Sequence, residues 1–133
     1  MTTAERQEQT PTRARLGSWP TPLEPAPRLS AALGLNPDDL WIKHDDLSGL
    51  GGGGNKVRKL EWTAGTALAR GADVLVTTGA AQSNHARLTA AAGAKLGVGV
   101  DVVLVLTVTD GTVVVLERFR LVGLAPAKAG QHR

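Results

Sequence analysis

The residues best equipped for covalent chemistry lie in one short run. Ser48 to Glu61 reads S-G-L-G-G-G-G-N-K-V-R-K-L-E, a glycine-rich loop that runs into a helical pattern with Lys56 at the join. Glycine admits backbone conformations that other residues avoid and lets a ligand approach the main chain closely. A helix N-terminus presents unpaired N–H groups and a partial positive charge. That potential and burial both disfavour an ammonium ion, so a lysine placed there offers a more available nucleophilic amine. A second polar run, Gly79-Ala80-Ala81-Gln82-Ser83-Asn84-His85, follows an apolar strand pattern and opens another helical one. Open α/β sheets bind ligands at such strand-to-helix junctions. Read locally, Ser83 equally suits an N-cap and Gln82 and Asn84 equally suit a turn. His85 equally suits a hydrogen-bonded helix position.

Both runs must be held by regular elements. From Asn55 to Arg70, Val57, Leu60, Ala64, Ala67 and Leu68 recur at three- and four-residue spacing. This predicts a helix with one apolar face, stopped at Gly71. The run V-L-V-T-T within 72–78 predicts a buried strand. A second helix is expected over Ser83–Leu96, with Leu88, Ala91, Ala92 and Leu96 inward and Gly97 as its stop. Asp101–Thr107, D-V-V-L-V-L-T, predicts another buried strand. Helix and strand in this alternation mean an α/β unit with parallel pairing and right-handed crossovers. Upstream, Pro20, Pro22, Pro25 and Pro27 mark an extended segment, Ser30–Leu35 a short helix and Leu40–Lys43 a short strand. Downstream, Asp110-Gly111 reads as a turn, and Thr112–Val122 fits a strand or an amphipathic helix with Val115, Leu116, Phe119 and Val122 inward. Three regions result: a disordered polar tail over 1–18, the α/β region over 19–107, and a divergent segment and tail over 108–133.

Composition narrows the function classes. The chain has 133 residues, the size of one domain, with one Phe, no Tyr and no Cys. That excludes a disulfide framework, a thiolate metal site and a cysteine nucleophile. His44, His85 and His132 are too scattered to suggest a metal centre. The net charge is +3, and the basic residues are dispersed apart from Lys56, Arg58 and Lys59, so no nucleic-acid partner is expected. No apolar run reaches the roughly 18 residues of a membrane span, and no membrane partner is expected. The polar start M-T-T-A-E-R-Q lacks a signal-like apolar region, which makes a cytoplasmic location the default.

Two nucleotide motifs can be set against the glycine run. Gly49, Gly51 and Gly54 formally match G-x-G-x-x-G, but the next strand ends in T-T-G-A without the acidic residue that would hold a ribose. A phosphate-cradling P-loop needs Gly-Lys-Ser/Thr; here Asn55 precedes Lys56 and Val57 follows it. A nucleotide-binding domain is therefore the least favoured of the readings.

Together the two runs are specific. The order G-G-N-K-V-R-K-L-E, then G-A-D-V-L-V-T-T-G-A-A-Q-S-N-H, resembles the D-cysteine desulfhydrase and 1-aminocyclopropane-1-carboxylate deaminase family. The likeness takes in P-L-E-P-A-P-R-L-S and L-W-I-K-H-D-D-L and spans Trp19 to Leu106. The resemblance implies a pyridoxal-phosphate enzyme with part of a tryptophan-synthase-β-like fold (fold type II), helices packed on a parallel sheet. It implies that Lys56 holds the cofactor covalently, that Asn84 hydrogen-bonds the cofactor's 3′ oxygen and that Asn55 shapes the turn before the lysine. Gln82 and Ser83 match positions at the substrate carboxylate, Ser83 being also the family's catalytic serine. His85 joins them on the substrate side and matches the desulfhydrase form of the motif, Q-S-N-H. The implied partner is a small amino acid, broken down to ammonia and a 2-oxo acid; a homo-oligomer is compatible with the family. Its members are well over twice this length, and their later part carries the cofactor-phosphate loop and catalytic tyrosines, which this chain does not show. A truncated chain that is a non-catalytic remnant or interaction module is the alternative expectation.

Overall fold

The computed structural model describes residues 11–107 and 113–121. The element order is β1 (Leu23–Pro25), α1 (Pro27–Ala32), β2 (Trp41–Lys43), α2 (Lys56–Ala69), β3 (Val74–Gly79), α3 (Asn84–Leu96), β4 (Gly99–Thr107) and β5 (Val113–Leu121). Short 3-10 turns at Asp45–Ser48 and Leu50–Gly52 fill the span between β2 and α2. β1 and β2 form a separate antiparallel pair. The main sheet has the order β3-β4-β5.

β3 and β4 pair in parallel, from Val74 opposite Gly99 to Gly79 opposite Leu104, with α3 as the crossover. This is the α/β unit that the alternation of helix and strand patterns predicts. β5 adds an antiparallel third strand, with a register shift between Leu104 and Val105. The segment for which strand and helix both fitted is therefore a strand. Its run of β-branched residues pairs along β4, where a ladder satisfies its backbone groups. The side chains of Val115, Leu116 and Phe119, as well as Val122, the turn at Asp110-Gly111 and the final tail, lie outside what the structure describes.

The expected helices are present with small shifts. α1 begins at Pro27, three residues before the expected Ser30, because proline's fixed φ suits the first helical turn. α3 starts after Ser83, whose hydroxyl accepts the Ala86 N–H at 3.2 Å, and ends at Gly97 in the left-handed region. Val57 and Leu60 of α2 meet Leu88 and Ala92 of α3 in one buried cluster. Ala86 of α3 meets Val100 and Val102 of β4 in a second.

The expectation of disorder up to residue 18 does not hold for the described part of that stretch. Leu16 is buried in the α2–α3 cluster, a burial worth roughly 2 kcal/mol. The arm crosses α2 at Gly65, where an added Cβ would lie 2.2 Å from the Thr12 carbonyl oxygen. Glu61, buried on α2, fastens it. The carboxylate accepts the N–H groups of Leu16 and Gly17 at 3.0 Å each, Trp19 Nε1 at 2.8 Å and Arg13 Nε at 2.7 Å. Burial pushes this carboxyl up, but the bonds from Gly17, Trp19, Leu16 and Arg13 outweigh it and hold the pKa at about 2. Lys95 of α3 adds a bond to the Leu16 carbonyl at 2.8 Å.

Candidate active site

The glycine loop is a built structure. Gly54 N–H donates to the Asp45 carbonyl at 2.8 Å and to Ser48 Oγ at 3.2 Å. Arg58, in the first turn of α2, grips the Asp45 carboxylate from Nε at 2.6 Å and from a terminal nitrogen at 2.7 Å. That guanidinium holds the Asp45 carboxyl below the usual carboxylate range. The loop thus meets its helix at a fixed angle. Gly54 has a φ of 132°, which side chains rarely adopt, and a Cβ there would come 2.7 Å from the Asn84 amide nitrogen.

This contact unites the two polar runs. Asn84, the first residue of α3, lies against the loop two residues before Lys56. Lys56 is the first residue of α2 and is half-buried. No side chain caps that helix start and no acidic residue occupies its first turn. The Gly54 carbonyl takes the Val57 N–H at 3.2 Å, and the positive end of the helix dipole suits an anion or a polarised carbonyl. Arg87 was not foreseen. It donates to the Gly53 carbonyl at 3.4 Å and also to Asn84 Oδ1, so it ties α3 to the loop and orients the amide. Its signal in the sequence is its place one turn after Asn84, on the same helix face.

The other expected residues are placed less uniformly. Asn55 sits at the N-cap of α2, exposed, without a side-chain capping bond. Ser83 caps α3 and borders an apolar groove with Ala81, Ala86, Ala90, Val102 and Leu104. Gln82 is exposed in the turn between β3 and α3. His85 is half-buried on the other flank of α3, in a cavity with Lys59 and Thr77. Burial, with the charges of Lys59 and Lys56, pushes its imidazole below the ordinary histidine range. Lys59 and Thr77 are further additions to the residues singled out in the sequence. Among the described residues no group of His, Cys, Asp and Glu could hold a metal ion. No described helix is long and apolar enough to cross a membrane.

The donor set fits an anionic cofactor with a reactive carbonyl. Lys56 offers an amine at the positive end of the α2 dipole, Lys59 adds positive potential around His85, and the Asn84 amide lies against the loop at Gly54.

The relatives agree with this chemistry. A family model described as pyridoxal-phosphate dependent enzyme matches residues 14–123. A putative 1-aminocyclopropane-1-carboxylate deaminase of Pyrococcus abyssi is 51% identical over 92 residues, covering 69% of this chain and 27% of that protein. A D-cysteine desulfhydrase of Klebsiella pneumoniae is 56% identical over 85 residues, covering 64% of this chain and 25% of that protein. The crystal structure of an ACC deaminase homologue superposes with a TM-score of 0.64 at 49% identity, covering 70% of this chain and 28% of that one. The chain spans about a quarter of the length of these relatives. With a match that runs from the arm at Ala14 through both polar runs and into the segment after β5, the chain belongs to the pyridoxal-phosphate-dependent enzyme family, as part of a fold type II unit.

Proposed function

We propose that this chain supplies the cofactor-anchoring part of an enzyme of the 1-aminocyclopropane-1-carboxylate deaminase and D-cysteine desulfhydrase type. Its substrate is a small amino acid and its products are ammonia and a 2-oxo acid. The observation that carries this reading is the Asn84 amide held against Gly54, two residues before Lys56 at the start of α2. Bound pyridoxal phosphate supplies an electron sink conjugated to the substrate nitrogen, which makes a neighbouring carbanion accessible.

The rest is done by the chain. Lys56 would hold the cofactor through Nζ, and its amine would move a proton at the reacting carbon. Asn84, fixed by Arg87, would orient the cofactor ring by a hydrogen bond from its amide. Asn55 sets the turn that delivers Lys56. Gln82 and Ser83 would take the substrate carboxylate beside the start of α3, while His85 lies on the other flank of that helix. Ser83 accepts its capping bond from Ala86, which leaves its own hydroxyl proton free to donate. Residues 19–107 are the working unit, steadied by the arm that precedes them.

One observation favours a second reading, a non-catalytic module. The chain matches about a quarter of its relatives, and the groove along α3 and β4 is apolar and open. An assay separates the two. The chain is supplied with pyridoxal phosphate and either D-cysteine or 1-aminocyclopropane-1-carboxylate, and ammonia and 2-oxo acid are measured. Product from the native chain and none from Lys56→Ala supports the enzyme. Cofactor retained without product supports the module. No retention by either protein overturns the anchoring role itself.

A further inference from the structure

Asn55 and Lys56 are enclosed by a closed ring of contacts. Val57 N–H donates to the Gly54 carbonyl at 3.2 Å, and Gly54 N–H donates to the Asp45 carbonyl at 2.8 Å. The Asp45 carboxylate takes Arg58 Nε at 2.6 Å and a terminal nitrogen of the same guanidinium at 2.7 Å. The main chain runs from Gly54 through Asn55 and Lys56 to Arg58, and the Arg58 side chain returns through Asp45 to Gly54. The backbone that carries Lys56 is thus tied on both sides to one residue that lies outside α2.

The pair that closes the ring is built more firmly than an ordinary surface ion pair. An exposed pair of loose geometry contributes little, because water screens it and two long side chains lose freedom. Here the contact is a two-point fork. The Asp45 side chain is only 14% exposed, and Thr21 Oγ1 donates to it at 3.2 Å. The Arg58 guanidinium lies over the Trp19 ring, 4.3 Å from its centre, which holds the cation from the other side. The axis of α2 has its own fixings further along, in buried Val57 and Leu60 and in Glu61 with the arm. The turn at Asn55 has none from its own side chain, which makes no capping bond. The ring closes what those fixings leave open.

We propose that Arg58 and Asp45 are positioning residues for Lys56: their fork fixes the turn at Asn55 and with it the direction in which the Lys56 side chain leaves the helix. The inference deepens the cofactor-anchoring reading and rests on it for the consequence at Lys56, whereas the ring stands on its hydrogen bonds. A reacting amine displaced by about 1 Å can lose up to about a hundredfold in rate.

Hydrogen exchange tests the ring without any cofactor. Amide exchange of the whole chain is compared for the native protein, Arg58→Met and Asp45→Asn. The second variant keeps the shape of the carboxylate and alters nothing in α2. Exchange at Gly54 and Val57 should quicken by about tenfold in both, while the amides that pair β3 with β4 keep their native rates. Borohydride trapping with pyridoxal phosphate, mapped peptide by peptide, then tests the positioning. Labelling of Lys56 should slow by about tenfold to a hundredfold in each variant. Lys95, whose Nζ donates to the Leu16 carbonyl at 2.8 Å, is the internal reference and should label at its native rate. The double variant should be no slower at Lys56 than the slower single one, because both side chains act through one contact. Native exchange at Gly54 and Val57, equal labelling of Lys56 in native and variant chains, or losses that add in the double variant overturn the proposal. Faster labelling of Lys95 beside a loss at Lys56 assigns the pair to general stability and overturns it as well. A native chain that carries no label on Lys56 would instead refute the anchoring reading, and the exchange rates would then decide the hold on the Asn55 turn by themselves.

Discussion

Two faces of α2 bury polar groups in opposite ways. On one, Glu61 is met by four donors from the N-terminal arm. On the other, Thr77 Oγ1 and His85 Nδ1 are buried without a hydrogen-bond partner among the described residues. Both involve buried polar atoms and both lie beside the helix that starts at Lys56. The satisfied cluster is a fastening, because its partners are already in the chain. The unsatisfied pair fastens nothing, because its atoms have no partner among the described residues. The contrast shows that burial of a polar residue does not by itself make a fastening; its partners do.

The comparison can be broken most forcefully at Glu61. Glu61→Ala leaves the Leu16 and Gly17 N–H groups and Trp19 Nε1 without an acceptor, and should cost about 3–5 kcal/mol in denaturant unfolding. A loss below about 1 kcal/mol would mean that the arm is not fastened there. Acid tests the same carboxylate without mutation. Its folded pKa of about 2 lies below the ordinary glutamate value of 4.5, so its stabilisation is present above 4.5 and is lost as pH falls through 2. The amount is on the order of 3 kcal/mol, and Glu61→Gln should flatten that part of the stability–pH curve. Gly65→Ala is next in size. The new Cβ would meet the Thr12 carbonyl at 2.2 Å and push the arm off α2, at about 1–3 kcal/mol, with faster proteolysis before residue 19 as the local readout. Smallest is Thr77→Val. Removing an unpaired hydroxyl while keeping the shape should change stability by less than about 1 kcal/mol or raise it. A large loss would show that Thr77 belongs to a fastening after all.

Much of this was legible before the fold. The helix starting at Lys56 and the one following Ser83 came from three- and four-residue apolar spacing and glycine stops, and their observed bounds differ from expectation by about a residue. The pairing of β3 and β4 followed from continuous apolar runs joined by a helix. Glu61 was not legible. A glutamate in a helix reads as solvated, and its partners lie more than 40 positions away in a stretch whose polarity suggested disorder. Leu16 alone could have hinted at an anchored arm. Thr77 and Lys59 were hidden because their significance lies in a cavity formed by three elements. In the last described strand, a β-branched run coincided with helical spacing, and only pairing with β4 decides between them.

The central claim is that Lys56 is the cofactor's covalent anchor, and the most direct test is chemical. The chain is mixed with pyridoxal phosphate, reduced with borohydride, digested and mapped by mass spectrometry. The prediction is a phosphopyridoxyl group on the peptide containing Lys56, at a stoichiometry that falls to background in Lys56→Ala. Label spread over lysines such as Lys43 and Lys95, equal in both proteins, would contradict it.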